Sequence, residues 1–214
     1  NQWAVGHTSL FYWALGILPF KDGFYSSNNK QVGGQTVGPE MNPDRETIMA
    51  TLSTAMVGPM DGIYLLNASR VMATCRADGV VLKPDRPVAV SDSCFVAGAS
   101  LDPALCYTYA TFSDVKGLGR VNYLFDNDGT KIVTPASVHL PNASGHGIYN
   151  FYTKEIGAFA ESNTVTPGYE NHVYAIVTPI VNGWAFVGEV DKYVTAASIR
   201  FSSVVQSSTG ITAQ

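Results

Sequence analysis

The chain is most easily read from what it has little of. Only 14% of its 214 residues are charged, well below the usual quarter. There is no block of Lys or Arg, and the formal net charge is −4, so nucleic acid and anionic membrane surfaces are not expected as partners. No apolar run reaches ~18 residues, the length a spanning helix needs, so no membrane span is expected. The longest, residues 10–20, contains Gly16 and meets Pro19. The four histidines, His7, His139, His146 and His172, have no metal-ligand spacing to one another or to cysteine. Neither G-x-S-x-G, a phosphate-binding loop nor G-x-G-x-x-G occurs. No metal or cofactor is therefore expected. The first residue is Asn, and a translation start there is not expected.

What is present is turn-rich and β-prone. Hydrophobic residues make up 46% of the chain, with 20 Gly, 11 Pro and 11% aromatics, ample for a buried core in one or two domains. Residues 7–18 read as a short buried helix with Thr8 or Ser9 as cap and Pro19 as terminator. Residues 26–41 are polar and Gly-rich, a long loop. Asn42-Pro43 opens a second helix. Its apolar stripe is Ile48, Leu52 and Ala55, and Gly58-Pro59 stops it. Asn67 or Ser69 caps a third helix running to Cys75. From about residue 100 the pattern changes. Residues 105–112, 120–125, 131–134, 147–152, 172–178, 184–188 and 198–201 read as strands, at a spacing that argues a β-sandwich. Asp126-Asn-Asp-Gly129 is a hairpin turn signal, and Gly117-Leu-Gly119 reads as a turn. The Ser/Thr-rich stretch 202–214 reads as an exposed, flexible linker.

Two carboxylates follow apolar runs at Gly/Pro breaks: Asp22 in PFKDGFYS (residues 19–26) and Asp61 in GPMDG (residues 58–62). Lys21 beside Asp22 would favour its charged form and burial the neutral one, a tension that suits an acid/base group. Asp61 can bond sugar hydroxyls or simply hold its turn. Trp13 is a candidate stacking surface for a sugar ring and also a candidate core residue. Asn67-Ala-Ser69 and Asn142-Ala-Ser144 are glycosylation sequons. Of three cysteines, Cys94 and Cys106 are the nearest pair for a bridge, which would leave Cys75 over; three buried thiols are the alternative.

PFKDGFYS resembles the Pro-Asp-Trp-Asp-Met-Phe-type motif of the α-galactosidase and raffinose-synthase superfamily of glycoside hydrolases. Residues 55–61, AMVGPMD, resemble that family's last barrel helix and strand. Residues 78–95 look like its link from barrel to C-terminal β domain. Phe20 stands where the family motif has Asp, and Gly23 where it has Met. The resemblance implies an α/β plus all-β chain: residues 1–97 as the C-terminal part of a (β/α)8 barrel, and residues 98–214 as an antiparallel β-sandwich domain. It implies a retaining mechanism with two carboxylates, in which Asp22 is the acid/base and Asp61, Lys21 and Trp13 contact substrate. The nucleophile would come from an upstream segment of the same protein, or from a partner chain that completes the barrel. The expected function is that of a secreted glycoside hydrolase-like protein acting on α-galactoside-type carbohydrate. Two alternatives stand beside it: a catalytically inactive, glycosidase-derived structural glycoprotein of an extracellular matrix or surface assembly, and a carbohydrate-binding β module.

Overall fold

Most of the β-prone runs join one antiparallel sheet whose central strands are buried on both faces; residues 131–133 pair in a separate ribbon, and residues 198–201 form no strand. In the computed structural model, the structure describes residues 2–29, 39–92, 94, 108–127, 129 and 131–214. The helices are α1 (Gln2–Ala14), α2 (Pro43–Leu52) and α3 (Ala68–Met72). The strands are β1 (Ala89–Val90), β2 (Thr108–Val115), β3 (Gly119–Asp126), β4 (Lys131–Val133), β5 (His146–Asn150), β6 (Ile156–Ala158), β7 (Asn163–Val165), β8 (Val173–Val181), β9 (Trp184–Ala185), β10 (Val204–Ser207) and β11 (Gly210–Ala213). The sheet runs β1-β2-β3-β8-β5-β6, with β9 also paired to β8. β4 with β7, and β10 with β11, form separate two-stranded ribbons.

Alternation along β3 and β8 builds two cores. Tyr123 pairs with Ile176 and Phe125 with Tyr174, and these four point to one face. There they meet Ile48, Met49 and Leu52 of α2 and the segment around Tyr193 to Ala197. Leu124 pairs with Ala175 and, with Val173 and Val177, points to the other face. Val133, Val165 and Val138 of the β4–β7 layer cover that side. The β8 residues from Val173 to Thr178 are all buried, as expected of a central strand covered on both faces.

The expected barrel portion is not there. Among the described residues every ladder is antiparallel, the three helices are short, and the one parallel pairing is an isolated bridge between Phe24 and Pro59. Pro43 starts α2 and Asn67 caps α3 as expected, but α1 spans Gln2–Ala14 rather than residues 7–18, with Leu10, Phe11 and Tyr12 exposed rather than buried, and α2 ends at Leu52, before the expected Gly58-Pro59 stop. The error behind the barrel lay in joining the helices into successive β/α units. α2 instead lays its apolar side on the antiparallel sheet, and residues 20–26 and 57–61 build no strand longer than that bridge. The β-sandwich-like layering of the later residues is the surviving part of the expectation. The expected boundary at residues 97/98, Cys106 and most of the loop at residues 26–41 lie outside the described residues.

Two further differences have local causes. The turn at Asp126 does not close a hairpin, because β3 pairs with β2 and β8 while β4 leaves for the second layer. The buried Asp126 carboxylate, which accepts from the Thr108 hydroxyl and lies 3.0 Å from Lys131 Nζ, anchors that departure. Residues 202–214 pair as the β10–β11 hairpin, with Val204 buried and its N–H donated to the Lys116 carbonyl at 2.8 Å. Gly117 makes this docking possible. At its φ of 81° an added Cβ would lie 2.2 Å from the Val204 oxygen.

Just after α2 the backbone holds Thr54 at φ 74°, a left-handed conformation that is costly for a β-branched residue, and its buried hydroxyl has no hydrogen-bond partner. That site ordinarily takes Gly. Thr54→Gly should therefore raise stability by about 1 kcal/mol, read from urea denaturation midpoints. An unchanged or lower midpoint would show that the loop gains something from the threonine.

Candidate functional site

The Phe24–Pro59 bridge brings the two nominated carboxylate segments side by side. The Phe24 N–H donates to the Gly58 carbonyl at 3.2 Å, and the Met60 N–H donates to the Phe24 carbonyl at 2.8 Å. Gly23 is pressed on Met60 so closely that a Cβ would fall 2.3 Å from its sulfur. Asp61 turns inward. Its two oxygens accept the Ser26 N–H at 3.0 and 2.9 Å, and Oδ1 also accepts the Ser27 hydroxyl at 3.4 Å. Asp22 is exposed, and its Oδ1 accepts the neighbouring Gly23 N–H at 2.8 Å. Lys21 is buried, with its ammonium 2.5 Å from Glu46. Trp13 is half-buried on α1.

Asp22 and Asp61 lie on the two segments that this bridge joins, Asp22 facing solvent and Asp61 bonded to Ser26 and Ser27. Asp61 holds the 24–27 turn to the 58–61 segment, and Lys21 ties the same turn to α2.

A second, denser cluster was not legible in the sequence. Arg70 of α3 reaches four partners. Its Nε donates to Asp44 at 2.6 Å, one terminal nitrogen donates to the Ser26 carbonyl, and the other donates to the Tyr169 hydroxyl at 2.5 Å. That last nitrogen is also 4.0 Å from Glu170. Glu170 caps α2 from outside the helix. Its oxygens accept the Asp44 N–H, both at 3.1 Å, and the Arg45 N–H at 3.2 Å. These are orphan donors at the positive end of the helix dipole. The Tyr193 hydroxyl donates to Asp44 at 3.0 Å. Beneath lies His172, fully buried. Its Nε2 shares a hydrogen bond with the Tyr152 hydroxyl, and its Nδ1 lies 3.8 Å from Glu170. His172 Nδ1 has no hydrogen-bond partner.

Burial dominates the electrostatics. It lowers His172 to about 4, against which the charge of Asp44 works only partly. It raises Glu170 despite the N–H bonds from Asp44 and Arg45. Burial alone would lower Arg70, but the hydrogen bond and charge of Asp44 outweigh it and raise the guanidinium further. A permanently charged arginine, a carboxylate at a helix end and an uncharged imidazole make a structural tie. No group of three metal-ligating side chains occurs among the described residues.

The remaining nominated residues have local roles. Asn67 Oδ1 accepts the Arg70 N–H at 3.0 Å as the α3 cap, while its own N–H donates to Ser26 Oγ at 2.9 Å. Asn142 is exposed in a turn, where its Oδ1 accepts the Ser144 N–H at 3.0 Å, and is the more open sequon. Cys94 is disulfide-bonded, and Cys75 is free and buried. No family model matches the chain, and no curated protein matches it.

Removing one partner of a buried ion cluster leaves the others uncompensated, at about 3–5 kcal/mol. Arg70→Met should lower stability by that amount in chemical denaturation; a loss below 1 kcal/mol would mean that solvent already screens the cluster. His172 gives a pH signature. Its folded pKa lies below the unfolded value of 6.5, so as pH falls the unfolded chain takes up the proton first. Stability is then lost between about pH 6.5 and pH 4, by up to about 3 kcal/mol. Glu170, raised from 4.5, opposes this in part, since the folded state holds its proton at a pH where the unfolded chain does not. Thermal melts of His172→Phe across that range should show a shallower acid limb. Its plateau should sit lower by about 1–3 kcal/mol, because the Tyr152 hydroxyl loses its hydrogen-bond partner. An acid limb identical to the parent would assign the pH dependence to other groups.

Proposed function

We propose that this protein is a secreted structural module of a larger extracellular assembly, which docks another polypeptide through the apolar surface of its N-terminal third. One observation carries the reading. Large hydrophobic side chains are exposed along the two chain segments that the Phe24–Pro59 bridge joins. Phe11, Leu15, Ile17, Leu18 and Phe20 are exposed in the first, and Met56, Met60, Ile63, Tyr64 and Leu66 in the second. Scattered exposed hydrophobics are ordinary, whereas a crowded patch marks a contact surface.

Its chemistry selects the occupant. The two segments meet in one parallel bridge beside apolar side chains, and parallel pairing is found almost only where both faces are covered. The charged groups close by are internally held: Lys21 pairs with Glu46, and Asp61 accepts from Ser26 and Ser27. Tyr64 sits at φ 65°, a strained conformation for a bulky residue, and turns its ring entirely to solvent. The partner is accordingly a polypeptide with an apolar face able to extend the parallel pair. A disulfide-bonded Cys94 supports a compartment outside the reducing cytosol, and the exposed sequon at Asn142 fits the same route.

A second reading keeps the α-galactoside chemistry. Asp22 is exposed at the edge of this patch, so a docked polypeptide could bring a second carboxylate opposite it. The assembled protein separates the two readings. Hydroxyl-radical footprinting should find Met56, Met60, Phe11 and Tyr64 readily oxidised in the isolated chain and about tenfold protected in the native assembly, with exposed Ile132 and Ile156 unchanged as internal references. Equal oxidation in both forms would overturn the docking surface. Turnover of an α-galactoside by the assembly that Asp22→Asn abolishes would replace the structural reading with the catalytic one.

A further inference from the structure

A separate groove lies between α1 and the sheet edge formed by β1 and β2. We infer that it binds a small organic carboxylate with an apolar body. Its floor is the directly opposed pair Ala89 and Ala110, two small side chains at a position where larger ones would fill the space. Leu10 of α1 forms one wall and Phe112 of β2 the other, around a cavity of about 280 Å³. Ser9 fixes the α1 wall by donating its hydroxyl to the Val88 carbonyl just before β1. The groove is therefore built by pinned elements.

Its lining carries the cations Arg86 and Arg120 with His139, beside one exposed carboxylate, Asp92, in a protein whose net charge is −4. The guanidinium carbons of Arg120 and Arg86 lie 3.7 Å and 5.8 Å from the Phe112 ring centre. His139 stands at the rim, held by a left-handed backbone at φ 57°. The acids nearby are exposed. Asp114 Oδ1 accepts from Arg120 Nε at 3.3 Å, and Asp92 lies 3.7 Å from His139. Arg86 has no carboxylate partner among the described residues. Two guanidinium groups on an aromatic wall above an apolar floor suit a carboxylate head on a hydrocarbon body. The volume is at the small end for ligand sites and admits roughly ten heavy atoms.

The test is titration of the whole chain, followed by backbone amide NMR shifts, with three probes: phenylacetate, its neutral counterpart 2-phenylethanol, and glucuronate, which carries the charge without the apolar body. Phenylacetate should bind with a roughly millimolar or tighter Kd and move amides of β1 and β2. Both other probes should bind about tenfold more weakly. Arg86→Gln, at an exposed side chain, should weaken phenylacetate about tenfold with the spectrum otherwise retained, and Ala110→Leu should block the floor. Equal affinity for 2-phenylethanol, tighter binding of glucuronate, shifts that map elsewhere, or an Arg86→Gln variant that binds like the parent would each overturn the assignment. If Ala110→Leu fails to fold, Arg86→Gln decides alone.

Discussion

Glu170 at the N-terminus of α2, with Arg70 locked beside it, is the constraint on which the arrangement of this chain depends. The helix begins with N–H groups that have no partner within it. Asn42 makes no side-chain cap bond. A carboxylate from the approach to β8, 126 residues later, supplies the acceptors instead. Arg70 then gathers Asp44, Ser26 and Tyr169 around one cation. The early helices are thereby fixed at one height above the central strand, and Ile48, Met49 and Leu52 reach Tyr123 and Tyr174.

Such a cluster is not a cheap source of stability. Desolvating these ions offsets much of their mutual attraction, and an apolar replacement of equal volume can do as well. What a buried, directional tie adds is position, because every partner of Arg70 must be in place at once. Apolar burial on both faces of β3 and β8 supplies the driving force, and the cluster selects one docking of α2 from the several that an apolar stripe alone would permit.

Local signals were legible; long-range ones were not. The proline at the start of α2, the Asn67 cap of α3 and the Gly117–Gly119 turn are all decided within a few residues, and each is found where the chain's chemistry placed it. The Asp-Asn-Asp-Gly turn is equally local, yet it closes no hairpin, because β8 rather than β4 takes the free edge of β3. The barrel expectation failed for a related reason. A helix between two apolar breaks reads the same whether it crosses over a parallel sheet or lies on an antiparallel one. Glu170 stands just before β8 and His172 opens the run read as a strand, but their partners are too distant in sequence to leave a pattern. Asp22 and Asp61 both follow local breaks in the sequence, whereas the partners that Asp61 takes, Ser26 and Ser27, lie more than thirty residues away and left no pattern.

The central claim is that α2 and the sheet form one cooperative unit through the Arg70 and Glu170 tie. Native-state hydrogen exchange tests it most directly. The amides of residues 47–52 in α2 and those of β3 and β8 should exchange through a single opening of the same free energy, and Glu170→Gln should lower both together. If the α2 amides opened at much lower free energy while β3 and β8 stayed protected, with Glu170→Gln affecting α2 alone, the helix would be an appendage and the tie would not organise the fold.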